Sequence, residues 1–463
     1  MGGQKAPSLI LKKWKNYKIM DIIKPRIMKG TRDFLPEDMY IRDKVMEIIK
    51  GHFTRYGFRP LATPAMEYYD VLTGKYGEEG EGLIFDMAYK GGKEVALKYD
   101  LTVPMCRVIA QYRDKIVLPF KRYQIQPVWR AEKPQKGRLR EFYQCDADIV
   151  GVKEVSADVE IIALITDIIE EIGFTQSKTF LNHRKLLTGL MEYVGVSAED
   201  IPAAIRILDK IDKVGVEKVM AEFIDSGYKK GVVEEMFRLT ETTDDPIKDL
   251  KRLENSLKGG TGAESAPEAI NDLKEIFRLL KEIGISEDKV IFSPRLARGL
   301  AYYTGAVFET VVEEPKIGSI AGGGRYDTLI GLFTGVDIPA TGMALGLERI
   351  VQVIQELGMM EDATGSVDVL ICPFGPEDVG ASLKIARKIR KAGVSTDVYT
   401  SDRRMKKKLK YADRLGVEKV LIIAPEETAK GMVRLKDMES GDEVEVESDG
   451  IVEEVLAHLN TKK

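Results

Sequence analysis

The chain has few cysteines, and none of them forms a recognisable pair. Its 463 residues include only Cys106, Cys145 and Cys372, an odd number without a CxxC spacing. A disulfide framework needs paired cysteines, and a structural zinc site usually shows closely spaced ones. The cysteine usage therefore argues against both, and it favours reduced thiols and a cytoplasmic protein.

Long apolar runs and a strong charge of one sign are also missing. No run is long enough to cross a bilayer, and the N-terminus lacks a secretory apolar region with a small-residue cleavage site. We therefore expect no membrane partner. The net charge of −4 does not indicate nucleic-acid binding, so any RNA contact must rest on local basic residues. The length and the 44% hydrophobic content suffice for more than one domain.

Residues 120–151 predict a β-hairpin with a basic tip. The first arm, Tyr123–Trp129, is rich in β-branched and aromatic residues, and Pro127 within it indicates an edge or a bulge. The tip carries five cationic residues and a single acidic one, Glu132. The cations are Arg130, Lys133, Lys136, Arg138 and Arg140. The second arm alternates, which places Phe142, Gln144, Asp146 and Asp148 on one face. A basic rim over an acidic floor suits a ligand with an anionic end and a cationic or N–H end, but an ordinary solvated hairpin gives the same pattern.

Six further segments of the sequence look like motifs, and they occur in a characteristic order along the chain. They are KGTRDFLP (Lys29–Pro36), GFRPLATPAMEYYDVL (Gly57–Leu72), LKYDLTV (Leu97–Val103), LARGLAYYTGAVFE (Leu296–Glu309), SIAGGGRYDTLIG (Ser319–Gly331) and GMALGLERI (Gly342–Ile350). With the hairpin, they resemble the class II aminoacyl-tRNA synthetases, and specifically the histidyl-tRNA synthetase family. The Gly57 segment looks like motif 1, the dimer-forming element, the hairpin like motif 2 and GMALGLERI like motif 3. RGLAYYTG and AGGGRYD look like the two histidine-specific blocks.

The resemblance implies an α/β protein of the α+β kind. An antiparallel-sheet catalytic domain with a helical insertion would precede a C-terminal α/β anticodon-binding domain. We place an N-terminal extension at 1–24, the first catalytic part with motifs 1 and 2 at 25–172 and the insertion at 173–289. The second catalytic part follows at 290–358, and the anticodon-binding domain at 366–463. The basic extension is expected to be a poorly ordered tail, and Met20 is an alternative start.

Local patterns support these divisions. Helical periodicity marks Lys185–Val194 and Ile270–Ile283 in the insertion. The glycine-rich stretch Lys258–Pro267 lacks the P-loop lysine and spacing, so we interpret it as a loop. The segment Met359–Ser366 is typical of an interdomain linker. Because we expect a histidine pocket that pairs every polar atom of its substrate, we expect no editing domain.

The C-terminal segment alternates strand and helix, which predicts a largely parallel sheet. VDVLICPF, VSTDVYT and VEKVLIIAP are the strands, and 379–391 and 405–415 the helices. Met405, Leu409 and Ala412 should share the buried face of the second helix. Six cations surround its start: Arg403, Arg404, Lys406, Lys407, Lys408 and Lys410. Such a run is usually a solvated face, but in a domain that resembles the anticodon-binding module it favours RNA contact.

The activity that the resemblance implies is a histidine–tRNA ligase that uses ATP and Mg²⁺. By match to the family, Arg130 holds the α-phosphate, Arg349 the γ-phosphate, and Arg298 bridges the reacting carboxylate and the α-phosphate. Phe142 is the expected platform for adenine. No dedicated metal ligands are assigned, because Mg²⁺ would bridge the phosphates, with Glu132 and Asp146 as candidates for metal or water contacts.

Histidine recognition maps onto two sets of residues. Asp148, with Tyr303 beside it, matches the family's imidazole-reading positions, and Asp100, Thr102 and Gln144 match those that hold the α-amino group. Arg298 and Tyr302 complete the expected pocket. On a strand, Asp100 and Thr102 would point the same way, whereas Tyr302 and Tyr303 would point oppositely. The glycines Gly322, Gly323 and Gly324 would let backbone approach the ligand, or would form a tight turn.

The implied partners are histidine tRNA, L-histidine, ATP and a second copy of the chain. In this family the motif 2 loop approaches the acceptor stem, including the extra 5′ guanosine, which makes Lys133, Gln135 and Arg138 the candidate contacts. One position departs from the family pattern. Ala301 stands where an acidic residue commonly precedes the tyrosine pair, and any hydrogen bond from that acid is lost.

Three rival functions remain open at this point. A non-catalytic regulatory paralogue of ATP phosphoribosyltransferase shares the fold, but it usually lacks the C-terminal domain and loses the motif arginines. Here Arg130, Arg298 and Arg349 are all present. The second rival is an RNA-binding or sensor protein that uses a synthetase-like domain without catalysis, and the intact activation residues argue against it. The third is another class II synthetase, against which the two histidine-specific blocks argue.

Overall fold

The computed structural model describes residues 23–76, 80–89, 91–258, 266–297, 302–360 and 367–460. Nearly all of the proposed extension 1–24, most of the loop Lys258–Pro267 and residues 361–366 of the linker lie outside these ranges. The chain divides into two compact units, Met1–Met360 and Glu361–Lys463. Each unit has hydrophobic clusters of its own.

The strands form three sheets. They are β1 (Arg59–Pro60), β2 (Met66–Tyr68), β3 (Asp86–Ala88), β4 (Glu94–Leu97), β5 (Phe120–Trp129), β6 (Glu141–Val150), β7 (Ser177–His183), β8 (Val290–Phe292), β9 (Ala306–Val312), β10 (Ser319–Arg325), β11 (Ala340–Gly346), β12 (Val369–Pro373), β13 (Thr396–Val398), β14 (Lys419–Ile423), β15 (Met432–Asp437) and β16 (Glu443–Glu447). The large sheet has the order β1-β5-β6-β11-β10-β9-β7-β8, and β2-β4-β3 form a small antiparallel sheet.

The helices lie mostly between these strands. They are α1 (Pro36–Arg55), α2 (Tyr69–Leu72), α3 (Thr102–Gln111), α4 (Ser156–Ile172), α5 (Arg184–Tyr193), α6 (Ile201–Leu208), α7 (Ile211–Val214), α8 (Val216–Asp225), α9 (Lys230–Leu239), α10 (Pro246–Leu257), α11 (Ala266–Glu282), α12 (Gly331–Thr334), α13 (Leu347–Glu356), α14 (Val379–Lys391), α15 (Met405–Arg414), α16 (Pro425–Thr428) and α17 (Ile451–Asn460). A single 3₁₀ turn, Pro376–Asp378, precedes α14.

The large sheet is antiparallel from β5 to β7, and parallel strands flank this part at both edges. The predicted hairpin is confirmed as β5 and β6, which pair over ten residues from Phe120↔Val150 to Trp129↔Glu141. β1 meets β5 only at Arg122 and Tyr123, so Pro127 lies where β5 has no second paired strand among the described residues. A proline without an N–H is tolerated there. The predicted α+β arrangement with an antiparallel sheet is confirmed.

Helix α1 packs its apolar face into the core of the first unit. Pro36 opens the helix at a position where its missing N–H costs no hydrogen bond, and Glu37 and Asp38 complement the helix dipole. Val45, Ile49 and Phe53 are fully buried in the same cluster as α4. The apolar face of α1 is thus internal core.

The segment 173–289 does not begin as a helix. Residues Ser177–His183 are β7, a strand of the large sheet between β9 and β8. The helical part starts at Arg184 and ends at Glu282, so our boundary for a helical insertion at 173 is too early. Strand β7 buries polar residues such as Thr179 and Asn182 among apolar ones, so its sequence lacks the clear apolar–polar alternation that would predict a strand.

The C-terminal unit contains the predicted strand–helix alternation and an extra hairpin. Strands β13, β12 and β14 are parallel neighbours, but β15 and β16 continue the sheet antiparallel. The expectation of a largely parallel sheet was therefore wrong for half of the sheet's pairings. Lys408 also differs from its expected place in the basic cluster. Its side chain is buried, and its Nζ donates to the Pro373 carbonyl at 2.5 Å.

Candidate active site

One pocket collects seven of the residues predicted from the sequence. Asp100, Thr102, Arg130, Gln144, Asp148, Tyr302 and Tyr303 line it, together with Tyr326, Gly342, Met343 and Ala344. The lining comes from the start of α3 and the segment before it, from the tip and second arm of the hairpin, from the turn before β9, from the residue that follows β10, and from β11. Five separate parts of the sequence therefore meet at one place in the sheet.

The hairpin arm β6 delivers its polar side chains by strand alternation. It pairs with β5 and β11 without a register shift, so alternate residues keep to one face. Cys145 and Ala147 are fully buried in the core, whereas Gln144 and Asp148 line the pocket. The Oε1 atom of Gln144 is buried without a hydrogen-bond partner among the described residues. An unpaired buried acceptor of this kind is costly, so it favours a ligand that donates to it.

Asp100 is fixed by three donors. Its Oδ1 accepts hydrogen bonds from the Val103 N–H at 3.0 Å and the Tyr76 hydroxyl at 3.1 Å, and its Oδ2 accepts one from Tyr302 at 3.4 Å. Asp100 and Thr102 both reach the pocket, but the reason that we gave was wrong. Thr102 is the first residue of α3 and Asp100 lies just before it, so the start of a helix, not a strand, presents the pair.

The tyrosine pair also departs from the expected geometry. Tyr302 and Tyr303 both line the pocket, with ring centroids 5.0 Å apart. Our expectation that only one could do so assumed a regular strand. The residues lie instead in the turn that precedes β9, which begins at Ala306, and a turn does not impose alternation.

Asp148 sits in a buried polar cluster whose other members the sequence did not single out. Arg122 Nη2 lies 2.7 Å from Asp148 Oδ2, and the Tyr326 hydroxyl donates to Asp148 Oδ1. A Cβ atom at Gly342 would lie only 2.0 Å from that Oδ1. Arg122 belongs to a run of alternating polar residues with Gln124 and Gln126 on β5, a signal in the sequence that pointed to a polar face.

Burial and neighbouring positive charge have opposite effects on the pKa values of Asp100, Asp146 and Asp148. Burial raises the pKa of Asp100, and its backbone hydrogen bond and Arg130 oppose the rise. Burial likewise raises the pKa of Asp148, with Arg122 as the main opposing influence. Burial raises the pKa of Asp146 well above its ordinary value, which Arg122 opposes and Asp148 reinforces. Carboxyl groups gathered in an enclosed polar site are typical of functional sites.

Arg130, which lines the pocket, belongs to a group of neighbouring arginines with Arg138 and Arg349. Arg130 lies over the rings of Tyr99, at 4.3 Å from the centroid, and Phe142, at 5.1 Å. Arg349, in the first turn of α13, donates from Nε to the Gly137 carbonyl at 3.0 Å and from Nη1 to the Ser319 carbonyl. Burial lowers the pKa of Arg349, and the nearby Arg138 and Arg130 lower it further. Three guanidinium groups that repel one another favour an anionic ligand between them.

The hairpin tip forms a tight turn with exposed polar side chains. Gln135 and Arg138 exchange backbone hydrogen bonds across the turn, and Gly137 has a φ of +69°. Lys133 and Gln135 are exposed. Arg138 Nε lies 2.6 Å from Glu132 Oε2, so Glu132, a candidate metal contact, is engaged in an ion pair. Asp146, the other candidate, is not among the residues that line the pocket.

Comparison with known proteins shows the family of the chain. A model of histidyl-tRNA synthetases matches residues 30–350, and a model of anticodon-binding domains matches 368–458. The chain belongs to the histidyl-tRNA synthetase family. The histidine–tRNA ligase of Cytophaga hutchinsonii is 36% identical over 94% of this chain and 100% of the relative. That of Gloeobacter violaceus is 37% identical over 89% and 94%. The crystal structure of histidyl-tRNA synthetase from Nostoc superposes with a TM-score of 0.81 at 29% identity, and covers 94% of this chain and 100% of the other.

Of the two segments that resemble the family's histidine-specific blocks, AGGGRYD is described in full and RGLAYYTG only from Tyr302 onward. Arg298 and Ala301, in the RGLAYYTG block, lie outside the described residues. The glycines of AGGGRYD lie inside β10, not in a turn. A Cβ atom at Gly323 would lie 2.1 Å from the Gly342 carbonyl oxygen, and one at Gly324 would lie 2.5 Å from that of Ala306. These two glycines thus allow neighbouring strands to approach, which differs from the ligand approach or tight turn that we expected.

Two searches of the described residues bear on other functions of this synthetase-family chain. They contain no helix with both the length and the apolar character needed to cross a membrane. Within the same ranges, no three His, Cys, Asp or Glu side chains are grouped so that they could hold a metal ion.

Proposed function

We propose that this protein is a histidine–tRNA ligase, an enzyme that activates histidine with ATP and transfers it to the 3′ end of histidine tRNA. The observation that carries the proposal is the single pocket in which Asp100, Thr102, Gln144, Asp148 and the tyrosine pair meet beside Arg130. Curated relatives named as histidine–tRNA ligases match nearly the whole chain and support the same activity.

The first step joins the histidine carboxylate to the α-phosphorus of ATP and releases pyrophosphate. The carboxylate is ionised at neutral pH, so the step needs alignment and charge neutralisation and no strong base. We propose that Arg130, which lines the pocket, and Arg349, whose charge interacts with that of Arg130, bind phosphate oxygens. By family match, Arg130 takes the α-phosphate and Arg349 the γ-phosphate, and Arg298 bridges the carboxylate and the α-phosphate. In the second step, the terminal ribose hydroxyl of tRNA attacks the carbonyl carbon and AMP leaves.

We assign the histidine contacts by chemistry. Asp148, with Tyr303, accepts the imidazole N–H, and Asp100 is the anion for the α-ammonium group, assisted by Thr102 and Gln144. Tyr302 holds Asp100 in place through its hydroxyl. Each assignment gives a buried polar atom a partner of opposite character, which is the condition for rejecting analogues strongly.

The nucleotide would lie along the hairpin. Phe142 is partly buried, and its ring lies beside Arg130, the proposed α-phosphate ligand, so we propose that adenine stacks on Phe142. ATP brings Mg²⁺, which neutralises phosphate charge. We expect the phosphates to supply most of its ligands, because Glu132 is paired with Arg138.

Transfer of labelled histidine to a histidine tRNA transcript tests the proposed function. We expect ATP-dependent charging at a rate that rises with enzyme concentration, and no charging of a tRNA for another amino acid. A protein that binds ATP and histidine but charges no tRNA would favour the regulatory paralogue.

We propose that the hairpin tip contacts the tRNA acceptor stem through Lys133, Gln135 and Arg138. Replacing Gln135, which is exposed and not part of the pocket lining, by alanine should weaken only the tRNA step. We expect kcat/KM for tRNA to fall by about tenfold, the effect of about one hydrogen bond of 1.4 kcal/mol. Histidine-dependent pyrophosphate exchange should stay within twofold of the wild type. Equal acylation of transcripts with and without the extra 5′ nucleotide would contradict specific readout there.

The C-terminal unit is the proposed anticodon-binding domain, and the basic cluster around the start of α15 is its proposed RNA surface. Arg403, Arg404, Lys406, Lys407 and Lys410 are exposed, and only Lys408 is withdrawn into the core. Phosphate contacts from this cluster would make tRNA binding salt-dependent. An unchanged salt dependence after replacement of the five exposed cations by alanine would contradict this assignment.

We propose that two copies of the chain associate through the region that contains motif 1. Met66, Tyr68, Met87 and Tyr89, on or next to the small sheet, are all at least 40% exposed, and clustered exposed apolar groups favour an interface. Sedimentation equilibrium should give twice the chain mass of 51.8 kDa. Tyr68→Asp should shift the mass towards the monomer, whereas Val444→Asp on β16 should not. A wild-type mass of one chain would contradict the proposal.

The three free, buried cysteines accord with a cytoplasmic location.

A further inference from the structure

Arg122 is a fully buried arginine that the proposed reaction steps do not use. It lies on β5, and none of its surface is exposed. Its Nη2 lies 2.7 Å from Asp148 Oδ2 and also donates to the Leu101 carbonyl at 3.3 Å. Burying a guanidinium group is expensive unless a charge and hydrogen bonds compensate it. Here the buried guanidinium group lies next to Asp148, the carboxylate that we assign to the imidazole N–H.

Two side chains hold the carboxylate of Asp148, and a glycine on a third side leaves room for it. Arg122 approaches Oδ2 from β5, and the Tyr326 hydroxyl donates to Oδ1 from the segment after β10. On β11, Gly342 leaves room for Oδ1, because any side chain there would collide with it. Asp148 nevertheless lines the pocket, so it can still accept a hydrogen bond from a ligand.

We propose that Arg122 is a positioning and specificity residue. Its guanidinium group neutralises Asp148, so the inner end of the pocket accepts the N–H of a neutral ring and rejects a cationic side chain. This inference rests on the proposed function, since it takes Asp148 as the acceptor of the imidazole N–H. An Asp148 without Arg122 would either take up a proton and lose its acceptor character or bind a cation.

Four variants test this inference: Arg122→Met, Arg122→Lys, Asp148→Asn and the double variant Arg122→Met/Asp148→Asn. Histidine affinity is measured by titration calorimetry, and KM and kcat by pyrophosphate exchange. We expect Arg122→Met to raise Kd and KM for histidine by about 30-fold or more, the lower end of the cost of breaking a buried charge pair. The kcat should stay within threefold, and Arg122→Lys should recover part of the affinity because it restores the charge.

A cationic probe separates charge compensation from simple damage. In Arg122→Met, inhibition by 2,4-diaminobutyrate, a short cationic amino acid, should strengthen relative to histidine binding by at least 30-fold. The double variant should bind histidine no worse than Asp148→Asn alone, because Arg122 acts through Asp148. Histidine affinity within threefold of wild type in Arg122→Met, or a double variant more than fivefold weaker than Asp148→Asn, would overturn the inference.

The same measurements still decide the role of Arg122 if the Arg122→Met variant does not fold, or if the proposed catalytic function is wrong. If Arg122→Met does not fold, the double variant, with its neutral pair, supplies the comparison with Asp148→Asn. Lys419→Met, which removes a buried lysine paired with Asp437 in the other unit, is the matched control and should leave histidine affinity unchanged. If the wild type binds histidine but shows no exchange, the proposed catalysis fails, while the calorimetric comparison still decides the role of Arg122.

Discussion

Replacing Arg130 by alanine should reduce histidine-dependent pyrophosphate exchange by about 10²–10³-fold, the typical effect of removing one donor that stabilises a developing oxyanion. The guanidinium group of Arg130 lines the pocket, and it is held by its Nε donating to the Tyr99 carbonyl at 3.2 Å and by the flanking rings of Tyr99 and Phe142. It is therefore oriented before ATP arrives. We expect most of the loss in kcat, because charge on the α-phosphate oxygens grows in the transition state.

Two companion variants make the Arg130 result specific. Arg130→Lys keeps the charge without the planar fork and should recover only part of the rate. Arg113→Ala removes an exposed arginine after α3, outside the pocket lining, and should exchange like the wild type. A rate for Arg130→Ala within fivefold of the wild type, with the fold intact by circular dichroism, would show that another group stabilises the α-phosphate.

Replacing Asp100 by asparagine should lower kcat/KM for histidine by about 10²–10³-fold. Removing one partner of a buried charge pair costs about 2–5 kcal/mol, and the partner here is the α-ammonium group. Asparagine keeps an acceptor oxygen for the Val103 N–H and the Tyr76 hydroxyl, so the local structure should survive. The loss should appear mainly as a higher KM, measured by exchange at varied histidine.

A ligand without the amino group provides the control for Asp100. Imidazolepropionate has the ring and the carboxylate but no ammonium, so its inhibition constant should change by less than threefold in Asp100→Asn. Asp86→Asn, at an exposed position of β3, should leave both ligands unaffected. Equal weakening of histidine and imidazolepropionate would mean that Asp100 supports the pocket as a whole and does not bind the ammonium group.

The sequence allowed prediction of features that depend on local pattern. Alternation from Phe142 to Asp148 predicted β6, and 3.6-residue periodicity predicted the helices that the structure places at Arg184–Tyr193 and Ala266–Glu282. These signals are contained within one element. The match of motifs in the right order supplied the fold, because each motif carries its place in the family's architecture.

Features that depend on long-range contacts could not be predicted in the same way. The partners of Asp148 are Arg122 and Tyr326, which lie 26 and 178 residues away in the sequence. The tyrosine pair was assigned a strand, although it lies in a turn, because adjacent aromatic residues do not distinguish the two. Lys408 was counted with the surface cations, because the sequence does not show that its ammonium group donates a hydrogen bond to the Pro373 carbonyl oxygen.

ATP–pyrophosphate exchange with each of the twenty amino acids tests the central claim most directly. The account predicts exchange with histidine alone, and loss of that exchange in Arg298→Ala, the arginine assigned by family match to the carboxylate and the α-phosphate. Exchange with a different amino acid would contradict the pocket assignment and keep the class of enzyme. No exchange with any amino acid would contradict the proposed activity itself.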